Sequence, residues 1–445
     1  MLLEPGRLAI DSLWLWTSLC GAAVGLLAFG CAVRGSSLAP VLVMLTVTLQ
    51  RVVLVGEGGF HLTWTQVALA GFFSGALIRL LSGSMGISVD VVTIASLTII
   101  AAYGLSVIVA DRVSLWAGES YRWTLSLLFL VLARPYAQYP NAARNMLLGL
   151  TAMALTSFAS GAIQALAGLG PSSFERFGLT RAHGAFGEPN PFGAFAVMVT
   201  LPCLAMLTAK VDRSNGWPHW ITLCGAIAGA TAVAMSQSRG AALGLGCGLI
   251  TILGVYSWVR AGERWRRLAV IGATSAVVPA TILLAVALQP QPGAEVTPGN
   301  WAERERQAHW GAASRMFLDN PATGVGAGAF NDNYRGSTTE WRFRIPQGHA
   351  HSAYLQVAAE TGLAGLVAYL ALLGGVIWRL HCRIRILAGA WLATGALAVT
   401  VAIAVHGLFD YLHVLSLGIV LSGIWAFGLA EVPRGVVSGE HNASY

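Results

Sequence analysis

Residues 349–356 read HAHSAYLQ, two imidazoles one residue apart at the mouth of a long apolar run. An imidazole titrates at about 6.5, so it can take a proton from a hydroxyl near neutral pH. It can equally ligate a metal or sit as a structural group at a membrane interface. No third nitrogen or carboxylate lies at metal spacing from His349 and His351, and no HExxH occurs, which argues against zinc. A general base and an interfacial structural role both remain open for the pair. Glu360 follows on the next helix, where a carboxylate can orient a ring or anchor an acceptor.

Arginines form the second group with chemical potential. Arg239, in SQSRGAALGLGCGLI, stands where two apolar runs meet, beside Ser236 and Ser238. Alone it would be as well explained by a side chain snorkelling to lipid headgroups. It is not alone: Arg181 in RAHGAFGEPNPFGAF and Arg306 in WAERERQAHWGAASRMF fall on the same membrane face by the span order given below. Three planar forks of donors, charged at any relevant pH, suit a phosphate or diphosphate. His183 follows Arg181 in the same stretch. Asn190 is expected as the N-cap of a helix opening with Pro191, and the free amides of such a start favour an anion. No GxxxxGK[ST] motif occurs, and the glycines of TGVGAGAF follow no evident strand. An outward-facing site without a nucleotide needs a substrate that is already activated, and a lipid-linked diphosphate fits both the charge and the place.

The elements that must carry these groups are membrane helices. Of 445 residues, 56% are hydrophobic and 11% charged, against about 25% charged in soluble domains. Apolar runs near 11–33, 38–55, 62–81, 89–110, 120–137, 146–169, 191–209, 218–237, 239–258, 268–289, 355–378, 387–408 and 411–430 predict an all-α polytopic membrane protein. Gln50 and Arg51 interrupt the second run and Arg134 the fifth, so 12 or 13 transmembrane helices are expected. The chain then divides into N-terminal helices (1–170), central helices with arginine-bearing turns (171–289), one large loop (290–354), C-terminal helices (355–430) and a tail (431–445).

Basic residues set the orientation. Lys210 and Arg213, then Arg260, Arg264, Arg266 and Arg267, then Arg379, Arg383 and Arg385 mark three cytoplasmic connections. Residues 170–190, 236–240 and 290–354 therefore share the opposite face. Thirteen spans place the N-terminus outside and twelve place it inside. The net charge of +7 reflects this positive-inside bias rather than a nucleic-acid footprint. Six cysteines (Cys20, Cys31, Cys203, Cys224, Cys247, Cys382) with no CxxC argue against disulfides. The LAFGC stretch is a poor lipoprotein site, and the Asn-Ala-Ser sequon near the end falls on the expected cytoplasmic tail.

The large loop opens with breakers, QPQPGAEVTPGN. A helix follows on which Arg306, Trp310, Ala313 and Phe317 share one face, an amphipathic pattern suited to a membrane surface. DNPATGVGAGAF then predicts a turn and a flexible backbone. No internal repeat and no inverted pair of broken helices is visible, which disfavours a lipid-linked glycan transporter.

Four stretches in order, RAHGAFGEPNPFGAFAVMVTLP, SQSRGAALG, RQAHWGAASRMFLDNPATGVGAGAF and HAHSAYLQVAAETGLAGLVAYLALL, resemble the signatures of the O-antigen ligase and O-antigen polymerase superfamily. The resemblance covers roughly residues 175–380. Ser352 stands where the family usually has Asn, and GEPNP replaces the commoner GNPN. It implies a metal-independent glycosyltransferase of the GT-C type without a cofactor, in a bacterial inner membrane with its site facing the periplasm. The implied donor is an undecaprenyl-diphosphate-linked glycan, and the implied acceptor is lipid A-core oligosaccharide or another glycan. A polymerase or a protein O-oligosaccharyltransferase would use the same donor. Residue by residue, the resemblance implies catalytic roles for His351, Arg239 and Arg306. It implies substrate contacts at Arg181, with His349 beside His351; His183, Asn190 and Glu360 are candidates by position.

Overall fold

A computed structural model describes residues 5–49, 52–55, 61–139, 141–176, 178–208, 219–260, 297, 300–345, 348–386 and 390–430. The helices are α1 (Pro5–Val33), α2 (Leu38–Thr46), α3 (Trp64–Leu81), α4 (Val91–Leu105), α5 (Val113–Ala133), α6 (Ala142–Ala167), α7 (Pro189–Thr208), α8 (His219–Ser236) and α9 (Arg239–Arg260). Then come α10 (Trp301–Asp319), α11 (Phe330–Ser337), α12 (Ala353–Ile386), α13 (Trp391–His406) and α14 (Leu415–Gly428). Among the described residues two antiparallel ribbons interrupt an otherwise helical fold: β1 (Val52–Val55) with β2 (His61–Thr63), and β3 (Glu175–Arg176) with β4 (Leu179–Thr180).

The chain is a polytopic membrane protein. Among the described residues eight helices are long and apolar enough to cross a membrane, and α13 and α14 are shorter apolar helices. The weak second run is a nine-residue helix, α2, that gives way to strand β1. The expected span 268–289, the basic groups at 210–213 and 264–267 and the tail 431–445 lie outside the described residues.

Local chemistry sets several helix starts. Thr63 caps α3 in a reciprocal box with Gln66. Asp90 caps α4 through Thr93 and also takes both guanidinium nitrogens of Arg134, at 3.0 and 2.8 Å, and Arg379 at 3.2 Å. Arg134, which interrupts the fifth apolar run, is thus buried at the end of α5 against Asp90, and Asp90 in turn ties both to the far part of α12 through Arg379. Helix α7 forms the middle of the bundle, with 16 of its 20 residues buried. Small residues let its neighbours approach: a Cβ on Gly229 would fall 2.2 Å from Thr200 Oγ1, and one on Gly395 would fall 2.7 Å from Pro202 Cα.

Two expectations for the large loop need correction. The buried stripe of α10 is Ala308, His309, Ala312, Ala313 and Met316, which packs with Phe330, Tyr334, Ala350 and Ala359. Trp310 and Phe317 are only half-buried. Alanines allow the close approach to α11 and α12 that the bulkier stripe would prevent. Nor is the glycine-rich turn free. Val325 and Gly326 donate to Ala359 and Glu360 carbonyls at 2.8 and 3.0 Å, and Leu363 donates to Pro321 at 2.8 Å. These bonds satisfy backbone groups released where α12 breaks at Gly362 (φ 66°, ψ −160°).

Candidate active site

The residues that precede α12 are fastened on every side. Ala353 N–H donates to Gly407 O at 2.8 Å, and the Tyr354 hydroxyl donates to Ala404 O at 2.8 Å. Gln356 accepts from Ala350 N–H at 2.7 Å and donates to Glu360 at 2.8 Å. Trp310 of α10 donates its indole N–H to His351 O at 3.0 Å. Within this frame His351 adopts a left-handed backbone, φ 49°, a conformation that a residue with a Cβ holds only under such restraint.

The stitching to residues 404–410 brings in a carboxylate absent from the expected set. Asp410 Oδ1 lies 3.4 Å from His351 Nδ1 and 3.8 Å from His349 Nδ1. Asp410 also accepts from its neighbour's Tyr411 N–H at 2.9 Å and from Asn190 Nδ2 at 2.8 Å. Burial by itself would raise this carboxyl. The His351 hydrogen bond and the nearby His349 and His406 outweigh it and hold Asp410 well below the usual carboxylate range. An ionised Asp410 at this distance favours the His351 tautomer with its proton on Nδ1, which leaves Nε2 as the ring's acceptor atom. His349 differs: its Nδ1 accepts the His351 backbone N–H at 3.2 Å. Burial, partly opposed by Asp410, pushes its pKa down to about 4.

The cations approach from other elements. Arg181 donates to Ser236 O at 3.0 Å and to Asn190 Oδ1 at 3.2 Å. Asn190 therefore links Arg181 to Asp410. It does not cap a helix opening at Pro191, because α7 already begins at Pro189 and Asn190 is its second residue. Arg239 opens α9 and pairs with Glu303 of α10, leaving its side chain 54% exposed. Burial lowers the Arg306 pKa while Asp410 and Glu303 oppose the shift, and its Nε has no hydrogen-bond partner among the described residues. His183 points elsewhere, against Phe174. Glu360 lies behind the loop and acts on it through Gln356.

His349, His351 and Asp410 offer three ligand atoms within 4.8 Å of one another. This is the third metal ligand that the local spacing lacks, supplied by the fold. Both imidazole atoms already have protein partners, so the trio reads first as a hydrogen-bonded relay.

Residues 224–370, about a third of the chain, match the family model described as O-antigen ligase. That stretch is similar to the O-antigen ligase family. No curated protein matches the chain. The matched residues include Arg239, Arg306, His349, His351 and Glu360, whereas Arg181, Asn190 and Asp410 come from outside them. Asp410 is the residue that sequence reasoning missed. Its one signal was an acid between two apolar runs, where an unpaired charge is costly.

Proposed function

We propose that this protein is an O-antigen ligase, transferring a glycan from undecaprenyl diphosphate to a hydroxyl of lipid A-core oligosaccharide on the periplasmic face. The supporting observation is the Asp410–His351 pair, which leaves His351 Nε2 as the acceptor of a proton. The family domain supports ligase- or polymerase-type transfer in general.

In this mechanism His351 Nε2 takes the proton of the acceptor hydroxyl. The oxygen lone pair forms the new bond to the anomeric carbon on the face opposite the diphosphate. The anomeric C–O bond breaks, its electron pair leaves with the lipid diphosphate, and the configuration inverts. Arg306, Arg239 and Arg181 stabilise the charge that gathers on the leaving group, a task that requires fixed donors but no metal. His349, with Nδ1 occupied and a pKa of about 4, positions the His351 backbone and is not the base.

A general base contributes about 10²–10⁴-fold, so His351→Ala should lose transfer by that factor and still bind donor lipid. The test is glycan transfer by purified His351→Ala and by the His351→Ala/His349→Ala double variant; near-wild-type transfer by either sinks the assignment. Deleting the gene and examining surface polysaccharide separates the two acceptors. Long chains retained on the carrier lipid support the ligase, and single repeat units on the lipid A-core would instead indicate a polymerase.

A further inference from the structure

The turn between α8 and α9 leaves a set of donors unclaimed. Ser238 uses its hydroxyl for Ala241 N–H (3.3 Å) and its carbonyl for Ala242 N–H (3.0 Å). Among the described residues the amides of Arg239 and Gly240 have no acceptor, and they stand at the head of a 22-residue helix. Such a helix start carries partial positive charge and aims its N–H groups outward.

A histidine lies directly on this turn. A Cβ added to Gly240 would sit 2.4 Å from His406 Cδ2 and 2.7 Å from its Nε2, so the Nε2 edge of the ring occupies the space above the Gly240 backbone. His406 is the last residue of α13 and is only 2% exposed. Its Nδ1 is buried and has no hydrogen-bond partner among the described residues. Asp410 and Arg306 are its charged neighbours. A buried N–H without an acceptor is rarer than an unpaired lone pair, which puts the proton of the neutral ring on Nε2, toward the head of α9. Arg306, a charged neighbour of both His406 and Arg239, has a buried Nε with no hydrogen-bond partner among the described residues.

We propose that His406 Nε2–H, the Arg239 and Gly240 amides and Arg306 together form a phosphate-binding clamp that holds one phosphate of the donor lipid diphosphate. Gly240 has no side chain because a Cβ would displace the histidine. This assignment rests on the donor proposed above, and it makes His406 a binding residue for the leaving group rather than an acid or base.

The test is binding of glycan-free polyprenyl diphosphate to the purified full-length chain in detergent, with thermal unfolding midpoints recorded for each variant. His406→Ala should bind about tenfold more weakly, equivalent to about 1.4 kcal/mol. His406→Gln places an amide N–H near the Nε2 position and should stay within about threefold of wild type, whereas His406→Asn should not; this ordering separates hydrogen bonding from ring packing. Gly240→Ala should weaken binding as His406→Ala does. Wild-type affinity in His406→Ala, or a folded His406→Gln as weak as His406→Ala, overturns the clamp alone. Absence of binding by the wild-type chain overturns the donor reading itself.

Discussion

At the scale of residues, the candidate site turns on which ring atoms are already committed. Both histidines of HAHSAYLQ present Nδ1 toward Asp410, but only His349 has that atom engaged by a backbone N–H. In the proposed mechanism this difference of one hydrogen bond favours His351 over His349 as the base. Replacing Asp410 by Asn should reverse the polarity of the contact, because an amide N–H can donate to Nδ1 and move the imidazole proton onto Nε2. Transfer by Asp410→Asn should fall by on the order of 10²-fold or more with little change in KM for the donor lipid. Equal rates for Asn and Asp at this position would remove the tautomer argument. The histidine pair and the three arginines were readable from composition and position. Asp410 was not, because 59 residues separate it from His351 and nothing local marks the pairing.

At the scale of elements, the break in α12 fastens that helix to the Pro321–Gly326 turn. Gly362 sits at φ 66° and ψ −160°, a region open essentially to glycine alone. A Cβ there would meet the Ala322 carbonyl carbon at 2.6 Å. Gly362→Ala should therefore destabilise the fold by about 1–3 kcal/mol, seen as a lower thermal midpoint in detergent. An unchanged midpoint would show that the Pro321–Gly326 turn does not depend on the break. The sequence pattern anticipated the helices on either side and the turn. It could not show that the turn's amides cap the opened carbonyls of α12, since that pairing is long-range. The same holds for α10, whose buried stripe follows alanines and His309 rather than its larger apolar residues.

At the scale of the whole molecule, a buried imidazole in the large loop, His309 stacked on Tyr334, makes stability depend on pH. Burial pushes the His309 pKa down to about 4, against the opposing Glu305 carbonyl contact. The unfolded chain then binds the extra proton between roughly pH 4 and 6.5, so stability is full above that window and falls as pH drops through it. Each such group steepens the fall by at most about 1.4 kcal/mol per pH unit. His309→Gln should flatten the midpoint-versus-pH curve in this window, and a curve identical to wild type would exclude His309 as its source. Apolar runs of bilayer length, read with their basic connections, determined the membrane class and the grouping of arginines and histidines, because hydropathy and charge are local properties of the chain. Only the tertiary structure decided which groups meet. Asp410 reaches His351, Asn190 bridges Arg181 to Asp410, and His406 covers Gly240 through contacts between helices far apart in sequence, and no local periodicity encodes those distances.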